Sequence, residues 1–240
     1  MKRQSSYRIA VTVVAAIVLI SVGFFAWRQT AARRDGGEPP KELVEQVDRG
    51  MSAEGRALFE EKVRTLENEL SEKQAKGERD VNLLLRLGNA YYTVGALKRA
   101  AEPYRDILST NPNDAPALEN LGQTQVEMQD YEGAYESWRR AVNIEPYETT
   151  YMRLIDLIDE YLPEYRPQIK EISEAAIANI GQTYGMMIRL GDWYASEEQY
   201  DRAVSHYEVA LQLNENAEAR KQLEEYRTKW REQQTKASAQ

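Results

Sequence analysis

The chain has no cysteine, a single histidine at position 206 and only 3 Phe in 240 residues. Without Cys there are no disulfides, thiolate zinc sites, iron–sulfur clusters or cysteine nucleophiles. One imidazole rules out a two-His metal cluster and leaves little general-base capacity near neutral pH. Cations are in the minority too, 31 Lys and Arg against 39 Asp and Glu for a net charge of −8. That balance argues against binding nucleic acid, since duplex binders neutralise phosphates with clustered Lys and Arg. The sequence shows no glycine loop for phosphates and no nucleophile placed beside a base. The expectation is a protein that is not an enzyme and uses no cofactor or metal, acting by binding, tethering or assembly. A 42% hydrophobic and 29% charged composition suits a thin core spread along a helical array better than one deep globule.

What apolar residues there are cluster near the start. Ile9 to Trp27 runs for 19 residues without a charge, about 29 Å as a helix, close to the roughly 30 Å of a bilayer's hydrocarbon core. Phe24, Phe25 and Trp27 stand at its far end, and Lys2, Arg3 and Arg8 face Arg28, Arg33 and Arg34 across it, as at membrane–water boundaries. A cleaved signal peptide has a shorter apolar stretch and a small-residue cleavage site. Here Thr30-Ala31-Ala32 lies behind Trp27 and Arg28, so the reading is an uncleaved signal anchor in contact with the lipid bilayer through residues 9–27. It follows a short tail, 1–8, and precedes a Gly- and Pro-containing linker, 28–41. Residues 1–40 carry +4 and the remainder −12, a cationic anchor on an acidic domain.

Beyond the linker the sequence repeats itself. Leu84, Leu87, Gly88, Tyr91, Ala100, Tyr104, Ile107 and Pro112 recur 34 residues on as Leu118, Leu121, Gly122, Gln125, Ala134, Trp138, Ala141 and Pro146. A further copy stands at Met187, Leu190, Gly191, Tyr194, Ala203, Tyr207 and Ala210, 69 residues beyond the second, which leaves room for one more repeat with a single inserted residue. This pattern resembles the tetratricopeptide repeat family, whose 34-residue signature is a large residue, L-G-x-x-Y, A-x-x-x-F and P. The resemblance covers Val81 to Leu213 and implies an all-α fold: a right-handed superhelix of about four helix–turn–helix repeats with capping helices, behind the single transmembrane helix. The repeats are placed at 81–114, 115–148, 149–183 and 184–214. Glycines 88, 122 and 191 and alanines 100, 134 and 203 would allow close helix approach, Tyr104, Trp138 and Tyr207 would fill the space between repeats, and Pro112 and Pro146 would stop the second helices.

The third repeat departs from the pattern. Asp156 takes the Gly place and Asp159 the aromatic one, and Pro163 and Pro167 bracket a longer turn. Pro167 is expected to open the second helix, at a favoured first helical position. The turn from Tyr161 to Tyr165 reads either as drift or as a protruding partner-specific feature. At the ends, 215–240 reads as a capping helix with the stripe Ala219, Leu223, Tyr226 and Trp230 behind an Asn216 N-cap. Residues 42–80 read as N-terminal helices or cap. There Phe59, Val63, Leu66 and Leu70 form a stripe within 52–76, which caps the array, pairs with a helix at 42–49, or forms a seam for self-association.

In this family the first helices line a concave groove. The resemblance therefore implies a partner-binding lining of Asn82, Leu85, Asn89 and Tyr92, then Glu119, Gln123, Val126 and Glu127, then Arg153, Leu157, Glu160 and Tyr161, then Ile188, Asp192 and Ser196. Alternating amide, aromatic, acidic and aliphatic side chains suit an extended or helical peptide of a protein partner. The family's carboxylate clamp for chaperone C-termini is incomplete: Asn89 and Asn120 match, but Leu85, Thr150 and Leu154 hold its cationic places. His206 points by period away from the groove, and the adjacent pairs Glu60-Glu61 and Glu224-Glu225 diverge on their helices and chelate nothing. The functional expectation is a membrane-tethered interaction scaffold or assembly factor with its repeats on the periplasmic side of a bacterial inner membrane. The alternative is a structural component that forms homo-oligomers through the 52–76 helix or the membrane span.

Overall fold

The computed structural model describes residues 42–238, and the compact unit begins at Val44. The expected tail, membrane span and linker, 1–41, lie outside the described residues. No helix among the described residues is long and apolar enough to cross a membrane.

These residues form helices α1 (Ala53–Ala75), α2 (Val81–Thr93), α3 (Leu97–Thr110), α4 (Ala115–Glu127), α5 (Tyr131–Ile144), α6 (Glu148–Tyr161), α7 (Ile169–Ile180), α8 (Tyr184–Ser196), α9 (Tyr200–Leu213) and α10 (Ala217–Ser238), with a 3-10 helix at Pro163–Gln168. Six of these helices start behind short polar residues whose side chains accept an otherwise unpaired first-turn N–H. Ser52, Asp80, Asp114, Asp130, Thr183 and Asn216 accept from the amides of Gly55, Leu83, Ala117, Gly133, Met186 and Ala219 at 2.9–3.2 Å.

Consecutive helices pair as α2/α3, α4/α5, α6/α7 and α8/α9, and each pair packs on the next. In three of them an aromatic ring of the second helix enters the space left by a glycine of the first. A Cβ built on Gly88, Gly122 or Gly191 would come within 2.6, 2.5 or 2.6 Å of Tyr104, Trp138 or Tyr207. The alanines at 100, 134 and 203 are fully buried beside them. The core runs along the array as three clusters, the first over α1–α4, the second over α5–α8 and the third over α8–α10.

The third pair is built differently. On α7 the places of Ala134, Trp138 and Ala141 are taken by Ile169, Ser173 and Ala176, all buried. Bulk has moved from the aromatic place to the alanine place, and the glycine place holds Asp156, ion-paired with Arg189 of α8. Ser173 Oγ is buried with no partner. Two expectations need correction. The second α-helix begins at Ile169, and Pro167 lies inside the 3-10 helix that carries the extra length of the turn. Nor does the Tyr161–Tyr165 turn protrude, because Tyr161 stacks on Tyr131 at 4.1 Å, Tyr165 packs against Tyr135 at 4.6 Å, and Leu162 is buried between them in sequence. Apolar and aromatic residues in a turn are more stable folded against a neighbouring helix than in water.

At the C-terminal end α10 covers the last pair with Ala219, Leu223 and Tyr226. At the N-terminal end Val63 and Leu66 of α1 are buried in the first cluster, with Leu70 packed against it. The α1 stripe is thus used within the chain, as a cap. Residues 42–49, by contrast, are not a helix. From Val44 to Arg49 the chain lies extended along the ends of α2 and α4, held by backbone hydrogen bonds of Val44 N–H to Met128 O (3.0 Å), Val47 N–H to Gly95 O (2.9 Å) and Lys98 N–H to Glu45 O (3.1 Å). The Val44 and Val47 spacing fits a helix turn, yet the carbonyls of Met128 and Gly95 just past two helix ends offer the segment backbone partners in place of its own turn.

Candidate functional site

The first helices α2, α4, α6 and α8 carry every residue expected to line the groove. Their polar side chains divide into those already engaged within the chain and those that remain open.

On α2, Asn82 and Asn89 are exposed and Leu85 and Tyr92 half-buried. Asn89 Oδ1 accepts from the Tyr104 hydroxyl at 2.6 Å, so it braces the ring that packs on Gly88. On α8 the same relation recurs. Asp192 accepts from Tyr207 Oη at 2.5 Å and from Tyr226 Oη of α10 at 3.1 Å. Burial raises the Asp192 carboxyl above its ordinary value even though both hydroxyls favour the anion, and burial beside that carboxylate pushes the Tyr207 phenol upward. Asn89 and Asp192 therefore act first as supports for core aromatics.

On α4, Glu119 accepts from the Thr150 hydroxyl, while Glu127 accepts from Tyr92 Oη and pairs with Arg49 at 2.8 Å. Gln123 and Val126 are half-buried, Val126 against the second cluster. On α6 the expectation for Leu157 is corrected. It is 3% exposed and part of the second cluster, and so offers nothing to a ligand. Arg153 and Glu160 are exposed, and Tyr161 keeps an exposed edge beyond its stack on Tyr131. Ile188 packs on the third cluster, and exposed Ser196 donates to Trp193 O.

An opening in the array lies between α6 and α8. A cleft of about 250 Å³ is lined there by Asp159, Arg166, Ile169, Arg189, Asp192, Trp193, Ser196 and Glu197. Its walls alternate in charge: Arg166 meets Asp159 at 3.1 Å, and Arg189 pairs with Asp156 while its Nε is buried without a partner. The Trp193 indole forms an apolar side, its N–H donating to Arg166 O at 3.2 Å. Asp159, Arg166, Arg189 and Trp193 were not among the expected lining residues. Asp159 and Arg166 come from the pattern-breaking third repeat and its 3-10 turn, where position within the repeat loses register, and Arg189 and Trp193 face them from α8.

His206 is half-buried, its ring stacked on Tyr194 at 5.2 Å, and burial lowers its pKa. Among the described residues no group of three or more His, Cys, Asp or Glu is placed to hold a metal ion.

No curated protein matches the chain. Family models described as tetratricopeptide repeat match residues 115–148 and 187–221. Among solved structures, a crystal structure of MamA is 21% identical, covering 70% of this chain and 96% of its own at a TM-score of 0.56. A second MamA crystal structure, also 21% identical, covers 67% and 85% at 0.55. MamA from Desulfovibrio magneticus RS-1, from residue 41 to the end, is 20% identical and covers 66% and 86% at 0.52. At such identities the likeness shows the fold. Helices α4–α5 and α8–α9 are tetratricopeptide repeats, and the all-α array that contains them has the superhelical fold shared with MamA.

Proposed function

We propose that this protein is a membrane-tethered scaffold that binds a peptide or helix of a protein partner on its first-helix face, in the bacterial cell envelope. The observation that carries this reading is the cleft between α6 and α8, where Trp193 offers apolar area beside paired charges and a buried, unpartnered Arg189 Nε. A surface with an aromatic wall and few oriented polar groups suits a protein segment. Tethering rests on the 19-residue apolar run from Ile9 to Trp27.

The binding reading is tested by affinity purification of the full-length chain in mild detergent, beside a variant with Arg166→Glu and Trp193→Ala substitutions in the cleft. Co-purification of a defined protein, lost or weakened at least about tenfold in the variant, is the expected result. A chain that migrates alone overturns the reading. Orientation is tested by Gly36→Cys, which introduces the sole thiol of the chain. Labelling by an impermeant maleimide in intact cells is expected; labelling only after lysis would place the repeats on the other side.

A further inference from the structure

Part of the first-helix face is already occupied by the chain itself. Between Val44 and Arg49 the backbone engages the ends of two repeats through the three bonds described above, two of which use the carbonyls of Gly95, which also accepts from Leu97 N–H at 3.0 Å, and of Met128. Val44 and Val47 pack on the first cluster, which also takes Leu85 and Tyr92. Arg49 completes the contact. Its guanidinium lies 4.7 Å from the Tyr92 ring centroid, donates to Tyr92 O at 3.0 Å and pairs with Glu127 at 2.8 Å. Glu45 adds an ion pair to Lys98. Backbone bonds thus give affinity for an extended chain of any sequence, and two aliphatics and an arginine give selectivity.

The residue beneath this strap shows how closely it fits. Gly95 follows the C-cap of α2 with φ +80°, and a Cβ built there would lie 2.1 Å from Val47 O. The corresponding places after α4 and α8 are Gln129 and Glu198, at φ 62° and 57°. The turn itself therefore accepts a side chain in this left-handed conformation. What excludes one at Gly95 is the carbonyl of the strap.

We propose that this rim is a binding site for an extended peptide of the pattern aliphatic-x-x-aliphatic-x-Arg, filled in cis by residues 44–49 and taken by a partner segment of the same chemistry when the strap is displaced. The proposal rests on the reading of the first-helix face as a partner surface and names the ligand class for one end of it. An attached strap competes at an effective concentration of the order of mM, so the site is kept closed to weak ligands.

The test uses a fluorescent peptide with the sequence of residues 42–51 and the full-length chain. A receptor with Val47→Asp and Arg49→Ala in its own strap is expected to bind the peptide at least about tenfold more tightly than the unsubstituted chain does. A peptide with the same two substitutions is expected to lose that binding. Adding Gly95→Gln to the receptor is expected to abolish binding while the helical circular dichroism is unchanged. Equal affinity of both receptors, or binding indifferent to Gly95→Gln, overturns the proposal. Should the strap variant not fold, hydrogen exchange in the unsubstituted chain decides. Val44 and Val47 amides are expected to exchange at least about a hundredfold faster than the Leu118 and Leu154 amides, because the strap opens without global unfolding. Exchange at the core rate overturns it. Peptide binding without any co-purified partner supports this site and counts against the scaffold reading, whereas a co-purified partner without peptide binding does the reverse.

Discussion

In the second repeat a Trp138 indole on α5 fills the space above Gly122 on α4, whereas in the third the corresponding places hold Ser173 and Asp156, and Ile169 replaces the small alanine. Both arrangements bury a second helix against a first. The regular one uses a single large ring as a key, and its tolerance is correspondingly narrow, since one added methyl on the glycine meets the ring. The third distributes bulk along α7 and lengthens the turn through a 3-10 helix. It leaves Asp156 facing Arg189 instead of a ring, and this is where the charged cleft lies. A repeat need only stack on its neighbours to hold the array. Relaxing the aromatic key in one repeat is therefore compatible with a continuous core and lets polar residues gather on the face.

The two repeats should differ most in their response to loss of the aromatic key. Trp138→Ala is expected to lower the unfolding free energy by about 3–5 kcal/mol, read from urea titration, because a buried indole is removed and a cavity remains. Next, Gly122→Ala is expected to destabilise by about 1–3 kcal/mol through overpacking. The double variant with Trp138→Phe should recover part of that loss as a coupling above about 0.5 kcal/mol. The matching change in the third repeat, Asp156→Ala, should fall under about 1 kcal/mol, since its ion pair with Arg189 is partly exposed. A larger loss would show that the third repeat is held as tightly as the others. Ser173→Ala should stabilise by about 1 kcal/mol, because it removes a buried hydroxyl with no partner.

The smallest effect is expected at Asp192, whose counterpart Asn89 does the same work without charge. A carboxyl raised by burial binds a proton more tightly in the folded state than in the unfolded one. Its stabilisation is complete below the ordinary value of 3.8 and is lost as pH rises through the raised value. Asp192→Asn should therefore gain under about 1 kcal/mol at neutral pH, and thermal melts should show the gain vanish in acid. A pH-independent difference would mean that the substitution acts through packing.

The repeats could be read in the sequence because their determinants are local and periodic. Gly122 and Trp138 sit on one helix pair, and Asn216 begins the capping helix three residues before the alanine it serves. The third repeat was recognisable as irregular from Asp156, Pro163 and Pro167, but its outcome was not. Whether Tyr161 and Tyr165 face water or α5 depends on Tyr131 and Tyr135, far back in the chain. Leu157 was misplaced for a related reason: position within a repeat predicts the facing side only while the neighbouring repeat keeps its shape. The strap was the least legible element. Its partners are carbonyls at Gly95 and Met128, groups that every residue type carries and no sequence pattern marks.

The strap also determines where the chain enters the domain. While Val44 is bonded at Met128, the chain enters the domain at the ends of the first two repeats. Once the strap lifts, the point of attachment moves to the start of α1. The segment freed ahead of α1 then has the length from Val44 to Ser52, about 30 Å at roughly 3.4 Å per extended residue. Filling the rim with another peptide would thus lengthen the reach of the whole array, and a binding event would be felt as a change in distance.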